Sequence, residues 1–261
     1  MYSVSTRSLM RRFFTPQITF THSSADLPRD VAHHISTVLR LRTDDRIVLC
    51  DGRGGCAECR IDEISPKRCR VTRLRHWLEQ ETALPVTLIQ GLPHSDKLDL
   101  ILQKTTELGV QQVRPVRCQR CQYPIAPAKA ARKLERWQKI VTEAARQSER
   151  SWLPEVAALC SFEEALQHCD ADVKLVLWEQ ADQPLQRVLP EISPDRVAVV
   201  VGPEGGLAQE EVALAVEHGF VAVGLGPRIL RTETAGMALM AILQYQYGDL
   251  NRIPREQIVS E

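Results

Sequence analysis

Apolar and polar positions change their spacing near Leu84-Pro85, and the change divides the chain in two. Ahead of it, residues 44 to 74 read as short strands joined by tight turns: 46 to 50, the turn Asp51-Gly52-Arg53-Gly54-Gly55, 56 to 64, the turn Ser65-Pro66, and 69 to 74. Strand-length runs bounded by Gly, Pro and Asp clusters predict a small β-rich module. Before it, residues 30 to 40 carry Val31, His34, Ile35 and Val38 at helical spacing, which predicts a helix laid over one end of the module. The adjacent His33 and His34 do not share a helix face, so one packed and one exposed imidazole is expected. Beyond Pro85, strands are predicted at 86 to 90, 112 to 116, 173 to 178, 197 to 201 and 220 to 225, with helices between them at about 95 to 108, 128 to 148, 161 to 168, 208 to 218 and 233 to 247. That alternation predicts an α/β domain with a mostly parallel sheet covered on both faces. The expected organisation is an extension over 1–11, a β module over 12–80, an α/β domain over 84–250 and a tail over 251–261.

A chain of 261 residues with 44% hydrophobic composition has enough apolar side chains for a sizeable core, which excludes intrinsic disorder. No apolar run reaches the ~20 residues of a spanning helix, and no export signal pattern opens the chain. A cytoplasmic protein without a membrane partner is therefore expected. The formal net charge of zero argues against a nucleic-acid partner until it is counted by segment. Residues 1 to 80 hold 14 Lys and Arg against 9 Asp and Glu, net +5, and residues 81 to 261 hold 19 against 24, net −5. The excess at the front is mostly arginine, whose guanidinium fork suits phosphate oxygens.

Eight cysteines include the C-x-x-C pairs Cys56/Cys59 and Cys118/Cys121. In a strand, residues 56 to 62 would set Ala57, Cys59 and Ile61 on one face and Glu58, Arg60 and Asp62 on the other, with Cys56 and Cys59 pointing apart. The second pair lies far along the chain and no His-x-x-x-His completes either, so free thiols and no metal site are expected.

Ligands of an open α/β sheet bind beyond the carboxyl ends of its strands. Two such ends are unusual here. Val199-Val200-Val201 runs into Gly202-Pro203-Glu204-Gly205-Gly206, and Val221-Ala222-Val223 runs into Gly224-Leu225-Gly226-Pro227-Arg228-Ile229-Leu230-Arg231. Glycine lets a backbone approach a ligand closely and proline fixes the loop's shape, so these loops suit recognition of a nucleoside by main-chain groups. The chain has no G-x-x-x-x-G-K-[ST], and Gly-Leu-Gly-Pro-Arg-Ile lacks the third glycine of a dinucleotide fingerprint.

The segments Gly202-Pro203-Glu204-Gly205-Gly206-Leu207 and Leu225-Gly226-Pro227-Arg228-Ile229-Leu230-Arg231-Thr232-Glu233-Thr234-Ala235 resemble the RsmE family of the SPOUT superfamily, N3-methyluridine methyltransferases of small-subunit ribosomal RNA. The resemblance extends over nearly the whole chain and takes in Arg12-Phe13-Phe14, His34 with Val38-Leu39-Arg40, Asp51-Gly52, Lys97, residues 104 to 109, Arg120-Cys121, residues 137 to 140, Gln147, Arg150 and Pro154. It implies an amino-terminal PUA-like β-barrel and a carboxy-terminal α/β domain tied in a trefoil knot. It implies S-adenosylmethionine as cofactor, held by Leu177, Glu179, Gly202, Pro203, Glu204, Gly205, Leu225, Gly226, Arg228, Ile229, Leu230 and Thr234. It implies 16S ribosomal RNA as partner, within the small ribosomal subunit and contacted by Arg12, Arg40 and Arg120, and a homodimer packed through knot-region helices, for which Ala235, Gly236, Ala238, Leu239 and Ala241 give the last helix a small apolar surface. Methylation at uridine N3 passes through an imide anion, which a guanidinium beside O2 and O4 would favour. Arg231 is the first candidate for that role and Arg228 the second. Glu204 and Glu233 are candidate proton relays, although Glu233 also suits a helix N-terminus. Two departures stand out: Ala208 where a Ser or Thr cap is expected, and Arg146 and Glu149 where the family has an acid and a small residue. A non-catalytic RNA-binding assembly factor and a ribose 2′-O-methyltransferase of the same superfamily are the alternatives.

Overall fold

The computed structural model describes residues 10–16, 18, 23–81, 83–123 and 125–252, so most of the expected extension and tail lie outside it. The chain forms two compact units, one of residues 1–81 with 145–153, the other of 82–144 with 154–261. The segment 145–153 thus belongs with the first unit, although the sequence pattern assigns it to the α/β domain.

The first unit contains β1 (Arg12–Phe14), β2 (Ser24–Asp26), α1 (Arg29–His33), a π-helical turn over His34–Val38, β3 (Arg46–Cys50), β4 (Gly55–Ile64) and β5 (Cys69–Leu78). Its five-stranded sheet has the order β1-β3-β4-β5-β2, with β1 parallel to β3 and the other pairs antiparallel. Period-two alternation decides what each face buries. Ile47, Leu49, Ala57, Cys59, Ile61 and Val71 face a core closed by Phe13, Leu27, Ala32 and Ile35, and Val48, Cys50 and Cys56 point the other way. Cys56 and Cys59 therefore do point apart. All eight cysteines are free, and no group of three or more His, Cys, Asp or Glu suited to a metal occurs among the described residues.

Two expectations are corrected in this unit. The helix at 30 to 40 is α-helical only through His33 and then widens, with the Leu39 N–H reaching the His34 carbonyl at 3.0 Å. The wider turn rotates Val38 out of the core to 61% exposure, while Ala32 and Ile35 stay buried. His34 packs edge to face on Phe13 and His33 is exposed. Arg40, at φ +54°, ends the turn and is exposed. The second correction is Arg12, expected on RNA. Its Nη1 and Nη2 each donate to Glu79 at 3.0 Å, Nη1 also donates to Ser151 Oγ at 2.7 Å, and its side chain is only 12% exposed. Glu79 also accepts from Trp77 Nε1 and from Ser151, and the Trp152 indole donates to its carbonyl. Arg12 is thus an internal lock on segment 145–153, with both terminal nitrogens bonded inside the unit.

The second unit contains β6 (Val86–Gly91), α2 (Ser95–Glu107), β7 (Gln112–Arg117), α3 (Pro127–Gln147, whose last residues belong to the first unit), β8 (Glu155–Val156), β9 (Cys160–Ser161), α4 (Phe162–Gln167), β10 (Val173–Leu177), α5 (Leu185–Val188), β11 (Val197–Val201), α6 (Gln209–Glu217), β12 (Val221–Val223) and α7 (Thr232–Gln246). The sheet is parallel throughout, in the order β12-β10-β11-β6-β7-β8, with β9 pairing to β7. Its central strands are apolar on both sides because helices cover both faces. Val197, Val199 and Val201 face α2, α3 and α7 through Leu98, Ile101, Trp137 and Leu239, and Ala198 and Val200 face α4 and α6 through Phe162, Leu166 and Val212. From edge strand β12 the chain returns to the sheet centre, where α7 packs on β11 and α2. The fully buried Gln244 fastens it there by accepting from the Leu84 N–H and donating to the Leu84 carbonyl, both at 2.8 Å. No helix among the described residues is long and apolar enough to cross a membrane.

Candidate active site

Three neighbouring strands, β12, β10 and β11, end in loops on one edge of the sheet, and these loops enclose a cavity of about 510 Å³. The loop after β11 lies close against β6: a Cβ on Gly91 would sit 2.6 Å from Pro203 Cδ, so only glycine admits Pro203 there. Within the loop, Gly206 has φ +71°. The loop after β12 turns through Gly226 at φ +82°, where an added Cβ would meet no protein atom within 4 Å and would project into open space. That is the backbone shape a ligand lying against the main chain requires.

Polar groups tie the loops together. Thr232 Oγ1 donates to the Gly202 carbonyl at 2.6 Å, and Gln90 Nε2 donates to Thr232 Oγ1 and to the Gly91 carbonyl, each at 2.9 Å. The hydroxyl of Thr232 therefore links the two glycine loops instead of capping α7, whose N-cap is Arg231 with no side-chain cap. Glu204 Oε1 accepts from the His94 backbone N–H at 3.0 Å and pairs with Lys97 Nζ at 3.2 Å. Burial disfavours the charge on Glu204, but the His94 N–H, its own N–H and Lys97 outweigh it and hold the carboxyl below its ordinary range. A carboxylate so held is a poor proton acceptor. Lys97 also lies 3.7 Å from Glu233, in the first turn of α7. Arg120 donates to the Gly205 carbonyl at 3.2 Å.

Of the residues the sequence singled out, Leu177, Glu179, Gly202, Pro203, Glu204, Gly205, Leu225, Gly226, Arg228, Ile229, Leu230 and Arg231 line this one cavity. Thr234 does not; it is exposed on α7, while Thr232 and Ala235 face inward. Arg228 and Arg231 are exposed at the cavity, and neither guanidinium has a hydrogen-bond or ion-pair partner among the described residues. Ile229 is 84% exposed beside them. The sequence assigns no site role to Lys97, Trp178, Ala181 and Thr232 in the wall or to Gln90 behind it. A signal for Gln90 existed: it is a lone amide at the carboxyl end of a strand that is apolar apart from Thr87, where an unpaired buried polar group is costly.

The RNA methyltransferase domain family matches residues 80–244, and the RNA methyltransferase PUA domain family matches residues 27–72. Ribosomal RNA small subunit methyltransferase E of Bacillus subtilis is 35% identical over 91% of this chain and 97% of its own length, and that of Mycobacterium tuberculosis is 34% identical over 88% and 90%. Among solved structures, ribosomal RNA small subunit methyltransferase E of Neisseria gonorrhoeae, bound to S-adenosyl methionine, superposes with TM-score 0.84 at 36% identity over 92% of this chain and 99% of that one. A putative methyltransferase of Legionella pneumophila in complex with the same cofactor gives TM-score 0.86 at 30% identity over the same shares. With the catalytic-domain family covering more than half of the chain and named relatives matching it nearly end to end, this chain belongs to the ribosomal RNA small subunit methyltransferase E family.

Proposed function

We propose that the cavity at the strand ends binds S-adenosylmethionine and that the protein transfers its methyl group to N3 of one uridine in the decoding region of 16S ribosomal RNA. The observation that carries this reading is the pair of unpartnered guanidiniums, Arg228 and Arg231, at a cavity walled by two glycine-proline loops. The fit to the cofactor rests on the open space over Gly226 and on a lining that combines backbone with the apolar side chains of Leu177, Leu225, Ile229 and Leu230. These residues would hold the nucleoside part, and Glu179 offers a carboxylate to its polar groups. When bound, the cofactor supplies a methyl group already activated by its sulfonium. The two loops would hold the cofactor, which would leave as a neutral thioether once its S–CH3 bond is exchanged for N3–CH3, and Arg231, with Arg228 second, would stabilise charge developing on O2 and O4 as the N3 proton leaves to solvent. Glu204 stays ionised on Lys97 and positions the loop.

The same reading places Arg40 and Arg120 on RNA and gives Arg12 the internal role described above. It takes the substrate as RNA within the small ribosomal subunit, and the compartment as a reducing cytoplasm in which the eight thiols stay free. It includes the knotted path that the return of α7 to the sheet centre suits, and a homodimer. For the dimer, Gly236 and Leu239 are buried inside the unit, and Ala238 and Ala241 instead share a stripe on α7 with Ile242 and Tyr245, which are 40% and 64% exposed. Nucleoside mass spectrometry of 16S ribosomal RNA from a deletion strain tests the activity: N3-methyluridine should be missing and should return with the wild-type gene. Loss of a ribose-methylated nucleoside instead, or no change at all, would overturn it.

A further inference from the structure

A second cavity, of about 270 Å³, lies on the other side of the first turn of α2 and has no role in the reaction above. Leu92, Leu98 and Trp137 give it an apolar floor. His94 and Tyr123 form its aromatic wall, their rings meeting edge to face at 4.6 Å, and Tyr123 is 48% exposed. Lys129 and Lys133, one helical turn apart on α3, stand at its rim. No carboxylate lines it, and neither lysine has a hydrogen-bond or ion-pair partner among the described residues. Its volume falls below the ~300–1,000 Å³ of sites that enclose whole ligands, so it suits one ring system with the charged remainder outside. Half-exposed aromatic faces beside unpaired ammonium groups are the combination that binds single-stranded nucleic acid: stacking for the base and charge for the phosphate. The wall is shared with the first cavity, because the His94 backbone holds Glu204 on one side while the His94 ring faces the other.

We propose that this second cavity seats an unstacked nucleotide of the RNA flanking the methylated one, with its base against Tyr123 and His94 and its phosphate between Lys129 and Lys133. The proposal rests on the RNA methyltransferase reading and adds a place where the strand is gripped outside the methyl-transfer cavity. Such a grip splays the strand, which unpaired bases require for recognition.

The test uses the full chain, a fluorescein-labelled single-stranded RNA of the decoding segment, and calorimetry with S-adenosylmethionine on the same samples. Tyr123→Ala should weaken RNA binding about tenfold, the size of one lost base stack. Lys129→Ala with Lys133→Ala should weaken it by a similar factor and reduce the slope of log affinity against log salt by about 0.7 for each phosphate released. Cofactor affinity should not change in either variant, and 4-thiouridine in the RNA should crosslink to a peptide containing Tyr123. Unchanged RNA affinity and salt slope in both variants overturns the proposal. So does a Tyr123-dependent affinity for uridine 5′-monophosphate with RNA affinity untouched, which would make the seat one for a free nucleotide, or a change in light-scattering mass with RNA affinity retained, which would give it to a second copy of the chain. Failure of the activity reading shows separately, as a wild-type protein that binds no S-adenosylmethionine.

Discussion

A guanidinium that meets no partner among the described residues is available to something outside them. Arg231 fits that description, and its backbone, at φ −66° and ψ 154°, makes the N-cap turn of α7 without help from its side chain. Arg231→Ala should therefore keep the fold and leave cofactor affinity nearly unchanged, while methyl transfer falls roughly 10²- to 10³-fold, as for removal of one oxyanion donor. Single-turnover methylation at saturating cofactor checks this, and a rate within about threefold of wild type removes Arg231 from the chemistry. At this scale the sequence was legible where a residue's place follows the backbone's own path: the glycine-proline loop brings Arg228 and Arg231 to the cavity wherever the fold puts the loop. It was not legible where a side chain's partner lies far along the chain. Arg12 reads like any other front-half arginine until Glu79, 67 residues on, takes both its terminal nitrogens. Nothing near Thr232 in the chain shows that its hydroxyl meets the Gly202 carbonyl, 30 residues earlier.

Helix α6, which follows the Gly202 loop, begins half capped. Glu211 accepts the Ala208 N–H at 2.9 Å and the Gln119 N–H at 2.8 Å, but Ala208 has no side-chain oxygen to accept from the helix's first turn. Helix α4 shows the complete arrangement, with Ser161 Oγ accepting from the Glu164 N–H and Glu164 accepting from the Ser161 N–H. Ala208 already has the extended N-cap backbone, at φ −72° and ψ 155°. Ala208→Ser should thus stabilise the protein by about 1 kcal/mol, seen as a melting temperature higher by roughly 2–4 °C for a domain of this size; no gain would mean that the hydroxyl, nearly buried there, finds no partner. The major strands and helices of the second unit were legible because long, doubly buried strands and long amphipathic helices carry strong periodic signals. The turn after α1 was misread because a single extra residue per turn shifts the face without changing composition. Strands β8 and β9, of two residues each, and the four-residue α5 are too short to show any period.

At the scale of the whole molecule, the sequence pattern breaks cleanly at residue 84, yet the compact units do not, because 145–153 belongs with the first. Only the contacts reveal this: Gly54 N–H to Ser151 carbonyl, Leu153 N–H to Gly52 carbonyl, Arg150 to Glu81, and the cluster around Glu79. That cluster should give the first unit a pH dependence. Burial raises the Glu79 pKa, but the bonds from Arg12, Ser151 and Trp77 outweigh it and lower it from the ordinary 4.5. A carboxyl depressed in the folded state adds stability above its unfolded pKa, and that stability is lost as pH falls through the folded value. Glu79→Gln should accordingly destabilise the protein by about 2 kcal/mol at neutral pH, and urea titrations should show the gap to wild type closing as pH drops below about 4.5; a gap that stays constant with pH would deny Glu79 this role. The interleaving also sets an order of events during synthesis. Domains generally fold as units as they emerge, the amino-terminal one first. Here the first unit reaches residue 81 without Ser151 and Trp152, and about 70 further residues must be made before they exist, roughly 4–14 s at ordinary ribosomal speed. Through that interval Arg12 and Glu79 have each other but not the segment that encloses them, so on the ribosome the amino-terminal half waits for the middle of the other to finish it.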